Sequence, residues 1–199
     1  MLNNRTEKGP DRRPAILVCS YDPHDPAGLA AGDADGQPSD SGSARTLTVG
    51  ADDPGALADL ISHKLAKAEC QAVLLVGRTR RSDGFRVQMR AENRGLTGPA
   101  KWSDTAPALA RTTAPVSEMV QALNEAGLAA AATSDSEEDA GSHLLYRILT
   151  ALPDDADAPA VALLRVPLAL EPSEARRGVA VAADAIARHL PLMPRERLG

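Results

Sequence analysis

Gln71-Ala-Val-Leu-Leu-Val76, closed by Gly77, is the stretch that decides the fold. An unbroken apolar run of strand length has no polar face to offer water, so it reads as a central strand covered on both sides. Immediately upstream, Asp52-Asp53-Pro54 supplies a capping carboxylate and a first-turn proline, and a helix is predicted from there to about Ala68. Its apolar residues Leu57, Leu60, Ile61 and Leu65 recur at three- and four-residue spacing, which predicts one buried face. Before that helix, Leu47-Thr-Val49 reads as a strand. Strand, helix and strand together make a βαβ unit, which requires a sheet with helices packed against it.

Moving outward, Pro14-Ala-Ile-Leu-Val-Cys-Ser20 predicts the first strand and Ala160-Val-Ala-Leu-Leu-Arg-Val166 another buried one. Phe85-Arg-Val-Gln-Met-Arg90 alternates with period two, as a half-exposed or edge strand does, with Phe85, Val87 and Met89 facing inward. A long loop from Ala91 to about Ala114 follows. Pro115 then opens a helix with Val116, Met119, Val120 and Leu123 on one side, ended by Gly127, and Leu128 to Ala132 enters the sheet. A helix from about Asp139 to Ala151 presents Leu144, Leu145 and Ile148 inward. The last helix opens at Glu171-Pro172-Ser173 and buries Val179, Ala182, Ile186 and Leu190. Residues 1–13 and 191–199 read as tails, and 27–44, rich in Gly, Ala, Asp, Ser and Pro, as a mobile loop. One α/β domain over 14–190 is expected.

With 199 residues, 43% of them hydrophobic, the chain can bury one sizeable core. A net charge of −5 argues against nucleic acid or an anionic membrane as partner. The 2% aromatic content leaves no stacking platform for single-stranded nucleic acid. Cys19 and Cys70 are too few for a secreted disulfide framework, and no apolar run reaches the roughly 20 residues of a membrane span, so a cytoplasmic location is expected. Arginine outnumbers lysine and alanine is abundant, the composition of a GC-rich bacterial genome.

Residues 133 to 146, Thr-Ser-Asp-Ser-Glu-Glu-Asp-Ala-Gly-Ser-His-Leu-Leu-Tyr, resemble the nucleophile segment of the pyroglutamyl peptidase I family, with Thr133, Ser142, His143 and Tyr146 keeping its outline. Further resemblances follow in matching order. Ile16 to Pro23 looks like the family's opening strand and turn, with Tyr21 and His24 on substrate-pocket positions. Gln37-Pro38-Ser39, Gly77-Arg78-Thr79, Val120 to Ala131 and Leu164-Arg-Val-Pro167 match later segments. The resemblance implies an α/β fold: a three-layer α/β/α sandwich with a central mixed, mostly parallel sheet of the phosphorylase/hydrolase-like kind. It also implies a thiol peptidase removing N-terminal pyroglutamate, working without a cofactor, and a homo-oligomer.

The family's triad of cysteine, histidine and orienting glutamate falls here on Gly141, Arg165 and Gly84, or on Asp83 if one residue is skipped. Glycine offers no thiolate. A guanidinium with a pKa above about 12 cannot accept a proton as a general base. The expectation is therefore a catalytically inactive homologue with a binding or structural role, with Gly77, Arg78, Ser142 and His143 also in the pocket.

Two alternatives accompany it. A hydrolase could use relocated chemistry at Cys19 or at Ser142 beside His143, although neighbours on a helix point about 100° apart. Alternatively, the remnant cleft could bind a small anion or a peptide, with Arg78, Arg80, Arg81, Arg86 and Arg165 facing it or facing the acidic run Ser134 to Asp139. Ser142 reads otherwise as a helix cap, Cys19 as an inert core thiol and His143 as structural. His24, His63, His143 and His189 show no metal-ligand spacing, so no metal is expected.

Overall fold

The computed structural model describes residues 14–20, 45–50, 53–96, 100–154 and 158–191. Residues 1–13 and 192–199 of the tails, the loop 27–44, Tyr21 and His24 lie outside the described residues. The expected elements all form: β1 (Ala15–Ser20), β2 (Arg45–Gly50), α1 (Pro54–Ala66), β3 (Ala72–Thr79) and β4 (Phe85–Gln88), then α2 (Val116–Glu125), β7 (Ala130–Thr133), α3 (Ala140–Ala151), β8 (Ala160–Pro167) and α4 (Pro172–Ala187). Two further strands, β5 (Arg90–Glu92) and β6 (Leu109–Arg111), make a small antiparallel pair.

The main sheet has six strands in the order β2-β1-β3-β8-β4-β7. The first four are mutually parallel, β4 runs against β8, and β7 is parallel to β4. The βαβ unit of β2, α1 and β3 therefore straddles β1. Alternation along the strands sorts the core into two halves. Ile16, Val18, Leu74, Val76 and Phe85 pack under α2 and α4, while Leu17, Cys19, Val73 and Leu75 pack under α1 and α3. Three layers, α/β/α, result.

Asp53 caps α1, accepting from the Gly55 and Ala56 amides at 3.2 and 2.8 Å. Leu57 and Ile61 are buried as expected, but Leu60 is 40% exposed. Buried Ala58 and part-buried Leu65 place the inner arc on the side of Leu57 away from Leu60.

β4 is not an edge strand, because it lies between β8 and β7. Of its two polar positions, Gln88 is fully buried in a polar cluster rather than in water, while Arg86 stays part-exposed. Met89, expected inward, is 39% exposed, since the chain leaves the main sheet there to begin β5. The expected long loop is organised by Asn93, whose side chain accepts from the Trp102 and Ser103 amides at 3.0 and 3.1 Å. It also donates to the Ser103 carbonyl at 2.6 Å.

Low aromatic content makes packing against the one phenylalanine strict. A β-carbon added at Gly178 of α4 would overlap the Phe85 ring. Gly178→Ala should gain about 1 kcal/mol in helix propensity and lose more through overpacking. A net loss of about 1–2 kcal/mol is expected in urea unfolding.

Candidate functional site

The C-terminal ends of β3 and β8 and the start of α3 meet at one pole of the sheet, and the Gln88 side chain reaches there from its place beside Leu163. Arg165, on β8, sits there with 1% exposure in a strand otherwise made of apolar residues. A guanidinium in that position must be fully hydrogen-bonded, because an unpaired buried charge costs several kcal/mol. Nη2 donates to Ser142 Oγ at 2.8 Å, to Asp139 Oδ1 at 2.9 Å and to Gln88 Oε1 at 3.1 Å. Nη1 donates to Asp139 Oδ2, which completes a two-pronged pair, and Nε lies 4.0 Å from Glu137.

The partners are themselves held in place. Asp139, not Ser142, caps α3, accepting from the Ser142 amide at 2.9 Å. Ser142 is the third residue of that helix, and its hydroxyl lies within hydrogen-bond reach of both amide atoms of Gln88. The Gln88 amide nitrogen also donates to the Arg90 carbonyl at 2.8 Å. Thr79 at the end of β3 donates to Glu137 at 2.7 Å. Burial by itself would raise the Asp139 carboxyl, but hydrogen bonds and charge from Arg165 override it and hold the group below the usual carboxylate range.

Of the residues singled out from sequence, Gly141, Ser142, His143, Gly77 and Arg165 come to this pole. Gly141 is buried in the first turn of α3, and Gly77 is the register partner of Arg165 across β3 and β8. His143 turns away from Ser142, and its Nδ1 lies 2.9 Å from the Arg94 carbonyl with Trp102 edge-on to its ring. Ser142 and His143 are thus not a nucleophile and base. Arg78 donates to the Pro167 carbonyl, Arg86 lies 4.0 Å from Asp135, and Arg80 and Arg81 are exposed. Of these five arginines, Arg165 is the one that enters the network.

Gly84 and Asp83 do not join either. Asp83 is exposed, and a β-carbon on Gly84 would lie 2.7 Å from the Ala129 carbonyl oxygen. That glycine is fixed by the close approach of β4 to the chain entering β7. Cys19 is fully buried, and burial pushes its thiol far up, with nearby Cys70 adding to the effect. Burial also pushes the Cys70 thiol up to about 11. Neither cysteine offers a thiolate near neutral pH. Disulfide-exchange reagents should label both slowly in the native protein and stoichiometrically after denaturation; rapid native labelling would return a thiol chemistry to consideration.

Gln88 is the site member that the sequence reading passed over. Glu137 and Asp139 lie in the acidic run set opposite Arg165 from the sequence, and Thr79 stands there only as part of Gly77-Arg78-Thr79. A signal for Gln88 existed, since an arginine inside a buried strand demands neutral acceptors as well as counter-charge.

Beside the network lies a pocket of about 100 Å³ lined in part by Glu92, Arg94, Glu137, Glu138, Asp139 and His143. Arg94 bridges its two rims, pairing with Glu92 at 2.7 Å and with Glu138. Among the described residues, no group of His, Cys, Asp and Glu is arranged to hold a metal ion. No described helix is long and apolar enough to cross a membrane.

No family model matches the sequence, and no curated protein does. Solved structures do match. Pyroglutamyl peptidase I from Bacillus amyloliquefaciens superposes with a TM-score of 0.75 at 14% identity, over 89% of this chain and 98% of that one. A variant of pyrrolidone carboxyl peptidase from Pyrococcus furiosus gives 0.72 at 14% identity, over 89% and 100%. The pyrrolidone carboxyl peptidase from Thermus thermophilus gives 0.63 at 18% identity, over 85% and 99%. Near-complete coverage in both directions, with the mixed sheet and four helices in place, makes this the pyroglutamyl peptidase α/β fold.

Proposed function

We propose that this chain is a divergent pyroglutamyl-peptidase-like protein that has no peptidase chemistry and serves a binding or structural role. The observation that carries the reading is Arg165. Where the resemblance expects a histidine able to take a proton from a thiol, this chain has a buried guanidinium whose donors are committed to Asp139, Gln88 and Ser142. A base has to exchange protons, and this group holds its own at any working pH. Gly141 supplies no nucleophile, and Gly84 has no room for a carboxylate without movement of the backbone.

Binding is favoured at the small pocket beside the network. Four carboxylates and one guanidinium line it, so a peptide, through its ammonium end, suits its charge better than a small anion does. Self-association and a bacterial origin, which the resemblance and the composition suggested, belong to the same proposal.

The test is hydrolysis of a chromogenic pyroglutamyl amide by the purified protein. The expected rate equals that of a Gly141→Ala control and of buffer. Cleavage above that control, proportional to protein concentration, would overturn the proposal.

A further inference from the structure

β7 stands at the end of the main sheet, with β4 as its neighbour on one side. A terminal strand exposes a row of peptide groups to any other extended chain, and proteins ordinarily protect such an edge with charge, proline or a bulge. Ala130-Ala-Ala-Thr133 has none of these, and Ala131 and Ala132 are exposed. Four uncharged residues with small side chains would let a second copy approach without steric or electrostatic opposition.

The direction of each peptide group follows from the ladder. The carbonyls of Ala129 and Thr133 accept from Phe85 and Met89 on the β4 side, so Ala130 and Ala132 turn their peptide groups outward. At Ala130 the outward groups are already taken. The Asn124 side chain accepts from the Ala130 amide at 3.1 Å and donates to the Ala130 carbonyl at 3.0 Å. A carboxamide presents one N–H and one C=O side by side, as the peptide of a further strand would. Its nitrogen also donates to the Val120 carbonyl at 2.9 Å, which holds the side chain against the end of α2. Gly127, at φ +76°, reverses the chain so that β7 passes beside the helix it has just left. Past the strand's end, Arg90 reaches from the β4 side and donates to the Ser134 carbonyl at 2.9 Å.

We infer that Asn124 is an edge lock: its carboxamide occupies the outward peptide groups of Ala130 and thereby keeps a second copy of this chain from adding to the sheet at β7. The inference is independent of the proposed function. Removal of the lock exposes Ala130 and Ala132 together, enough to start a two-stranded antiparallel pairing of β7 with β7.

Light scattering coupled to gel filtration over a concentration series tests this. Asn124→Ala should move the mass, relative to the parent protein, toward a doubling as concentration rises. Adding Ala132→Pro to that variant removes the outward N–H of Ala132 and should return the mass to the parent value. An unchanged mass for Asn124→Ala, or equal association with and without the proline, overturns the inference. If circular dichroism shows Asn124→Ala unfolded, Asn124→Ser carries the test. Its uncharged side chain is too short to span the Ala130 amide and carbonyl, so association is again expected and an unchanged mass overturns the lock.

Discussion

Arg165→Met should lower the unfolding free energy by about 3–5 kcal/mol, the cost of removing one member of a buried ion pair. Methionine fills much of the volume and can pack in the core, so cavity formation is not the main loss. What remains is worse than a void. Asp139, Gln88 and Ser142 are left facing one another with acceptors in excess, in a space arranged around a cation. Because a domain of this size has only about 5–15 kcal/mol in reserve, the variant should also show a clearly lowered urea midpoint. An Arg165 variant as stable as the parent would mean that the guanidinium is an exposed ligand-binding group rather than part of the framework.

Asp139→Ala should cost about 3 kcal/mol, because one residue performs two tasks: capping α3 at the Ser142 amide and neutralising Arg165. Asp139→Asn separates them. Asparagine still caps, so it should retain about 1 kcal/mol relative to alanine while losing the charge. The Asp139 side chain is 31% exposed, which places both losses below that of the wholly buried arginine.

The same residue sets an acid limit. Its carboxyl is depressed in the folded protein, so its contribution is present above the unfolded carboxylate pKa of about 3.9 and is lost as pH falls through the lower folded value. Stability measured downward from pH 5 should therefore fall less steeply in Asp139→Asn than in the parent. Identical acid limbs would show that the pair contributes nothing across that window.

Most of the layer architecture was legible in the sequence because burial on both faces leaves a plain mark. Residues 72–76 and 160–166 are apolar without interruption save for Arg165, and the helices begin at Asp53-Pro54, Asp139 and Glu171-Pro172. Where reading went astray, long-range contacts decided the outcome. Alternation in β4 suggested solvent on one face, yet Gln88 alternates toward Arg165, 77 positions away in sequence. Arg90 to Arg111 has no periodicity to announce β5 and β6, because their order depends on Asn93 holding the backbone at Trp102, Ser103 and Ala106.

The site was half legible for a related reason. Gly141 and Arg165 stood out against the family outline, but a substitution shows only what is missing. Which groups took over the space depended on geometry: Asp139 reaching back from the helix cap, Glu137 held by Thr79, and Gln88 crossing from β4. The basic run Arg78, Arg80 and Arg81 looked like a cluster because it is contiguous in sequence. On a strand end and turn, those side chains diverge, and Arg165 is joined by acids instead.

The proposed function rests on an ion-pair network at this pole, where the resemblance sets a thiol and its base. Gly141→Cys tests it most directly, since that variant supplies the missing sulfur and leaves Arg165 untouched. With a chromogenic pyroglutamyl amide as substrate, no release above buffer is expected, because Arg165, which stands where the resemblance sets the base, cannot accept the new thiol's proton. Turnover by Gly141→Cys that scales with protein concentration would contradict it.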